Sequence, residues 1–517
     1  PRGPGRAPPG RGFFPPTPPA AVLRISAGFS MTIQLRQHQD KGAGIVASVP
    51  RYGLFFDCGA GKTITVLEGV RRFGKGKWVV VCPLSVVENA WLRDAAALGF
   101  TAIHSIAEKQ PGERKRIIES VKSGIVVVNF DVYAKHVDDF IRCGYRKLVI
   151  DESSRMKNPD AVQCRAILRH AALCDRFYCL SGTPAPNGDH ELWAQLRAIA
   201  PDWIDASPYQ FWYRWFTPRV EWVRVKGGQQ RKVIKGWDIK SEKEAEFRKL
   251  VASVSWTLRK EDCLDLPPQA DVIRAVRLSG PELAAYDRVV AELKMLVKRC
   301  GSDRDELGRF IVVREVKVKA CAAVHKLRQL CGGWAYADGE ANEYGLSKLN
   351  ELDGLLDEIG HRQVVVWGDF RHDVARIAGL LSDRKKSFRR LVGGGDPVAE
   401  SVRAFQAHDL DVLVCHPQSV GHGVTMTAAH HAVYYTLPWS YELYKQSRDR
   451  IHRMGQGVPV TYHHLLASET VDFQVLDVVR TKKASREAMN ACLAALGVDL
   501  TITEDEAEND EGIGAEG

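Results

Sequence analysis

Short, continuous apolar runs, each followed by a longer amphipathic stretch, set the rhythm of this chain. Gly53-Leu-Phe-Phe56, Trp78-Val-Val-Val-Cys82, Ile125-Val-Val-Val128, Lys147-Leu-Val-Ile150 and Phe177-Tyr-Cys-Leu180 read as strands buried on both faces of a parallel sheet. The amphipathic stretches between them are the crossover connections that parallel strands require. A second series follows at Val364-Val-Val-Trp367, Val412-Leu-Val-Cys415, Ala432-Val-Tyr-Tyr435 and Val460-Thr-Tyr-His463. The middle of the chain, 202–345, loses the rhythm. It carries Trp203, Trp212, Trp215, Trp222 and Trp237, then a helix start at Ser279-Gly-Pro-Glu282. The pattern predicts an α/β protein of two lobes with parallel sheets, at 31–201 and 346–500, and a helical, Trp-rich insertion and link at 202–345. The tryptophans have two readings, base stacking or the core of a small insertion.

Composition changes this picture at the ends. Residues 1–30 hold eight prolines and five glycines and cannot form a core, so they read as a disordered arm or as non-native upstream sequence. Residues 501–517 carry seven acids and no base, and are expected to be a disordered acidic tail. The chain's net charge is +9, so residues 1–500 hold 9 + 7 = +16. So basic a body suits a polyanionic partner, nucleic acid above all, or serves solubility alone. Elsewhere the 517 residues are ordinary for a globular protein, 45% hydrophobic and 26% charged. No apolar run approaches the ~18 residues that span a bilayer, which points away from a membrane protein. The twelve cysteines form no C-x-x-C pair and read as reduced thiols. His430–His431 and His463–His464 border strand-like runs and read as packing or surface residues rather than metal ligands.

Candidate chemistry lies in three places. Asp57-Cys-Gly-Ala-Gly-Lys-Thr63 follows an apolar run and opens a helical stretch, the setting of a phosphate-binding loop. Gly59, Ala60 and Gly61 would let backbone N–H groups curl around phosphate oxygens. Lys62 would reach the outer phosphates and Thr63 would hold Mg²⁺. Phe56 stands where the usual pattern has its first glycine, so the pattern alone also fits a Gly-rich turn. Asp151-Glu152 closes the run Lys147–Ile150. Asp151 there suits a Mg²⁺ shell, and Glu152 suits a carboxylate that orients the attacking water. By itself the pair also fits a helix start. Leu180-Ser-Gly-Thr-Pro184 ends the next strand, and the order of loop, carboxylates and Ser181-Gly182-Thr183 is that of a nucleic-acid-driven motor. Far downstream, Gln446-Ser-Arg-Asp-Arg-Ile-His-Arg-Met-Gly-Gln456 sets Arg450 and Arg453 three apart, on one face if the stretch is helical. Such a pair can neutralise charge developing on a γ-phosphate.

Together these segments resemble a Swi/Snf-type ATPase of helicase superfamily two, in the short form of phages and bacteria. The match runs from Leu35 to about Val479. Leu35-Arg-Gln-His-Gln39 resembles the family's adenine-recognising opening, with Gln37 in place of proline, and implies that Gln39 binds the base. Asp57–Thr63 resembles D-M-G-L-G-K-T, and Asp151-Glu-Ser-Ser-Arg-Met-Lys-Asn158 resembles D-E-A-H-R-I-K-N, with Ser153 and Ser154 departing. Leu258-Arg-Lys-Glu-Asp262 and Leu266-Pro-Pro268 resemble the link between lobes. The Gln446–Gln456 motif is nearly complete and brings Gln446 to the nucleotide. For DNA, the resemblance implies contacts by Pro83 and Ser85, by Asn129, and by Gly421, Gly423 and Thr425, the last standing where the family has asparagine. Ser181, Gly182 and Thr183 would couple ATP to DNA. The implied fold is two RecA-like lobes. The implied function is a DNA-stimulated ATPase that uses ATP and Mg²⁺, translocates on double-stranded DNA and displaces or remodels DNA-bound proteins. The expected form is a monomeric motor in a bacterial or phage-infected cytoplasm. Two alternatives stand beside it. One is a strand-separating helicase, which would also engage single strands; the other is a non-catalytic ATP-binding switch.

Overall fold

The computed structural model describes residues 34–224, 230–300, 314–337, 339–420, 424–481 and 485–498. Its first lobe is built on β1 (Arg51–Phe56), β2 (Lys77–Cys82), β3 (Ile103–Ser105), β4 (Gly124–Asn129), β5 (Lys147–Asp151) and β6 (Arg176–Leu180). A two-stranded antiparallel ribbon follows, β7 (Phe216–Arg224) with β8 (Gln230–Ile239), and then β9 (Ser255–Leu258). The first sheet has the order β3-β4-β2-β5-β6-β1-β9, with every pairing parallel. Alternation along β2 shows why these runs are continuously apolar. Val79 and Val81 pack into the core on one face, Trp78, Val80 and Cys82 into the core on the other.

The second lobe repeats the plan. Its strands are β10 (Gln269–Val276), the small hairpin β11 (Trp334–Ala337) and β12 (Glu340–Glu343), then β13 (Val364–Trp367), β14 (Phe388–Leu391), β15 (Val412–Cys415), β16 (His431–Tyr434) and β17 (Val460–Ala467). Six of them form a parallel sheet, β10-β17-β16-β13-β15-β14. Val365 and Trp367 enter one core and Val364 and Val366 the other. The α/β class with two parallel-sheet lobes is thus what the chain adopts.

The stretch 202–345 contains the expected helices, at Pro208–Trp215, Glu244–Val254, Gly280–Cys300 and Arg314–Cys331, but also six strands. β9 completes the first sheet beside β1, and β10 edges the second beside β17. The sheets therefore do not end at 201 and begin at 346. The apolar pattern hides these strands for a physical reason: β10 is an edge strand, exposed along most of its length, so it lacks a buried run. Of the tryptophans, Trp215 is buried against Phe247, and Trp212 and Trp237 pack together at 5.5 Å between ring centres, which is the packing role. Trp203 is exposed.

Because each sheet is parallel, all its strands end at one edge, and loops leaving that edge form a common crevice. Asp57, Pro83, Asn129, Asp151 and Ser181 all follow or close such strand ends.

Candidate nucleotide-binding cleft

The loop after β1 is shaped by two glycines in the left-handed region, Gly59 (φ 86°) and Gly61 (φ 80°). A Cβ at Gly59 would lie 2.9 Å from the Cβ of Arg453, so the loop and the second lobe meet only because no side chain stands between them. Lys62 begins the helix Lys62–Phe73, and its Nζ donates to the carbonyls of Phe56 (2.8 Å) and Asp57 (3.4 Å). The helix N-terminus and the ammonium group thus share one wall.

Asp151 closes β5 and is buried; Oδ2 accepts from the indole Nε1 of Trp91 (2.9 Å) and Oδ1 from the backbone N–H of Glu152 (3.0 Å). Trp91 sits in a π-helical turn, Val87–Leu92, a wide turn often found at functional sites. Glu152 adopts φ 58° and ψ 52°, a left-handed backbone that costs a non-glycine residue about 1–2 kcal/mol. Such strain persists where surrounding packing holds it, and it aims the carboxylate into the crevice.

The opposite wall comes from the second lobe. Ser440 caps the helix Tyr441–Asp449 through the N–H of Leu443, and Arg450 and Arg453 follow its end. Burial lowers the pKa of both guanidinium groups; for Arg453 it acts together with neighbouring Arg450 and brings the value to about 10. The Arg453 Nη1 donates to the Val424 carbonyl at 3.1 Å. Two buried guanidinium groups lining one crevice make a strongly anion-attracting surface.

A ring of charges joins the walls. Lys445 Nζ donates to Asp57 Oδ1 at 2.7 Å, and the backbone N–H of Lys260 donates to Asp57 Oδ2 at 3.2 Å. The Lys260 ammonium in turn bonds Asp449, one helical turn beyond Lys445. Burial raises the Asp57 carboxyl, but Lys445 and Lys260 more than offset it and hold the group below its ordinary value. Lys445 is correspondingly raised by Asp57 against the effect of burial.

Between these walls runs a cleft whose lining includes Gly59, Gly61, Lys62, Thr63, Asp151, Glu152, Arg450 and Arg453, so eight residues expected at the nucleotide meet in one place. Two glycines without Cβ atoms, a helix N-terminus, an ammonium and two guanidinium groups fit a polyphosphate; Thr63 and Asp151 offer oxygen donors for a hard divalent cation. Ala60 is buried beneath the loop, where its carbonyl meets His38 Nε2 at 2.9 Å. Gln39 lies against Gly61, its Oε1 accepting from the Arg36 N–H at 2.9 Å.

Gln446 is not brought to this cleft. Neighbours in a helix do not share a face. Lys445 therefore meets Asp57, while Gln446 bonds Glu442 at 3.1 Å and lines a second interlobe groove with Pro83, Ser85, Arg155, Gln418 and Ser419. Asn129 ends β4 beside Cys82 of β2, its Oδ1 buried without a hydrogen-bond partner among the described residues. Thr425 precedes Met426, whose N–H bonds the Arg450 carbonyl at 2.8 Å. Gly421 and Gly423 lie outside the described residues. Gly182, between Ser181 and Thr183, lies against the phosphate loop: a Cβ there would lie 3.1 Å from the Cys58 Sγ. Sequence reasoning missed Trp91, Lys260, Lys445 and Asp449. Only the i, i+4 spacing of Lys445 and Asp449 was there to be read; their partners are remote in the chain.

Comparison with known proteins identifies the family. Residues 38–331 match the SNF2-related domain and residues 347–455 the helicase conserved C-terminal domain. Protein p41 of Acyrthosiphon pisum secondary endosymbiont phage 1 is 24% identical, over 89% of this chain and 98% of its own length. The ISWI chromatin-remodeling complex ATPase ISW1 of Saccharomyces cerevisiae is 22% identical over 85% of this chain, and the Drosophila melanogaster SWI/SNF-related matrix-associated actin-dependent regulator of chromatin subfamily A-like protein 1 is 23% identical over 91%. The chain spans only 38% and 58% of these two. Among solved structures, the Sulfolobus solfataricus SWI2/SNF2 ATPase core in complex with dsDNA aligns over 89% of this chain and 97% of its own, at 18% identity and a TM-score of 0.39. With the SNF2-related domain matching more than half of its length, the chain belongs to the SNF2-related family, an ATP-hydrolysing Swi/Snf-type enzyme of helicase superfamily two.

Proposed function

We propose that this enzyme is a DNA-stimulated ATPase that translocates on double-stranded DNA and displaces or remodels proteins bound there. The observation that carries the reading is the composite cleft, in which Arg450 and Arg453 of one lobe face Lys62 and Glu152 of the other. A site divided between lobes ties chemistry to their relative position, which a motor needs. The basic body, +16 over residues 1–500, supports a polyanionic track. The names of the yeast and fly relatives support remodelling of protein–DNA complexes, and the phage relative supports a bacterial or phage-infected cytoplasm as the place of action.

In this mechanism the Gly59–Gly61 backbone and Lys62 bind the phosphates of ATP. Glu152 orients water for attack on the γ-phosphorus and takes up its proton. Arg450 and Arg453 stabilise charge on the transferring group as bonding changes. Thr63 and Asp151 would hold Mg²⁺, which supplies neutralisation of phosphate charge when bound. Closing on ATP and reopening after hydrolysis shifts the grip of the two lobes on the phosphate backbone, with Pro83, Ser85, Asn129, Gly421, Gly423 and Thr425 as contacts and Ser181, Gly182 and Thr183 coupling the two events.

One feature favours a second reading, strand separation. Among the described residues the β7–β8 ribbon pairs only with itself, and it carries a bulge between Arg219 and Val220, a form suited to a separating pin. The joint presence of Lys62, Glu152, Arg450 and Arg453 in the cleft speaks against a non-catalytic switch. ATP turnover without nucleic acid and with duplex, single-stranded DNA and RNA, joined to triplex-displacement and forked-duplex assays, separates the readings. Duplex-stimulated turnover with triplex displacement and little unwinding is expected. Unwinding without triplex displacement would establish the second reading in its place.

A further inference from the structure

Between the catalytic carboxylates and the Ser181–Thr183 loop lies a fully buried glutamine. Gln195 belongs to the helix Trp193–Ile199, whose Trp193, Ala194, Leu196, Ala198 and Ile199 are all buried apolar residues. Its Oε1 accepts from the hydroxyl of Ser153 at 2.7 Å, and its Nε2 donates to the carbonyl of Pro184 at 2.7 Å. Gln195 and Ser153 are both 0% exposed, so the bond between them is closed to water, while the bond to Pro184 is partly buried. A buried amide among apolar neighbours costs stability unless both ends are bonded, and an apolar residue would fill the space more cheaply.

What the amide joins is informative. Ser153 directly follows Glu152, whose left-handed backbone makes the carboxylate's aim depend on where the next residue is held. Pro184 ends the loop in which the Thr183 N–H bonds the Ser181 Oγ at 3.1 Å and Gly182 rests on Cys58 of the phosphate loop. Ser153 and Ser154 are also the positions at which the sequence departs from the D-E-A-H pattern. A planar amide bonded at both ends is a stiff strut, so displacement of the Pro184 carbonyl is transmitted to Ser153.

We propose that Gln195 is a positioning residue that ties the aim of Glu152 to the Ser181–Pro184 loop and so carries nucleic-acid engagement to hydrolysis. This rests on the DNA-stimulated reading above. The test compares wild type, Gln195→Met, Ser153→Ala and the double variant, each measured for ATP turnover without and with duplex DNA and for thermal stability. Basal turnover is expected to stay within about twofold, while the stimulation ratio falls by about fivefold or more, the low end of coupling between sites. The double variant should be no worse than the worse single one, because both cut the same strut. Ser153→Ala removes one hydroxyl only, so the test stands even if Gln195→Met fails to fold. Variants stimulated as strongly as wild type would overturn the relay alone, and so would basal and stimulated turnover falling in parallel with stability. A wild-type enzyme that duplex DNA does not stimulate would overturn the DNA-stimulated reading and the relay with it.

Discussion

Asp57 and Lys445, 388 residues apart in sequence, meet across the interlobe cleft at 2.7 Å. Their pairing places the end of β1 against the helix that leads into Arg450 and Arg453. The lobes are therefore registered by charge as well as by the Gly59–Arg453 contact.

This pair should behave as a coupled unit. Lys445→Met and Asp57→Asn are each expected to lower turnover, and a double-mutant cycle on turnover should return a coupling of about 1–2 kcal/mol, since both groups are partly desolvated. Additive effects would show that the bridge does not position the lobes.

The backbone of Glu152 makes a prediction that separates stability from chemistry. Glu152→Gln should bind ATP yet turn over about a hundredfold more slowly or worse. Glu152→Gly should be equally inactive but more stable than Glu152→Ala by about 1 kcal/mol, because only glycine takes φ 58° without strain. Urea unfolding of the two variants measures the difference.

Much of this was legible in the chain. The β1, β2, β4, β5 and β6 runs are apolar because they are covered on both faces, and Asp57, Pro83, Asn129, Asp151 and Ser181 sit where such runs end. Eight of the residues lining the cleft are readable from motif chemistry; Arg93 and Asp94, which also line it, are not. What was not legible depended on partners remote in sequence. β9 and β10 sit at sheet edges and lack buried runs, and Gln446 was assigned to the nucleotide by motif although its helix face is fixed by the Lys445–Asp57 bridge. Trp91 reads as one more core tryptophan until its indole is seen to hold Asp151.

Stability should fall in mild acid. His463 and His464 are buried, and their pKa values are lowered by burial from 6.5 to about 4. The unfolded chain takes up these protons near 6.5, the folded chain only near 4. Their contribution is therefore fully present above pH 6.5 and is lost as pH falls toward 4, at up to roughly 1.4 kcal/mol per pH unit for each histidine. Urea midpoints at pH 7, 6 and 5 should decline, and His463→Gln should flatten the slope. An unchanged slope would remove this histidine from the explanation.

The paired guanidinium groups should respond to anions. Inorganic triphosphate relieves the repulsion between Arg450 and Arg453 and binds only the folded cleft, so it should raise the melting temperature, and go on raising it logarithmically as its concentration passes the Kd. The shift should shrink in Arg450→Ala. An equal shift in that variant would place the anion elsewhere.

The account as a whole rests on the second lobe completing the first lobe's site. The direct measurement is nucleotide affinity and duplex-stimulated turnover of wild type, Arg450→Ala and Arg453→Ala on the same preparations. Because these side chains act on charge that develops during transfer, affinity should stay within about tenfold while turnover falls about a thousandfold, and lysine should rescue poorly at either position. Normal stimulated turnover in both alanine variants would contradict the composite cleft and leave Arg450 and Arg453 as residues of a packing helix end.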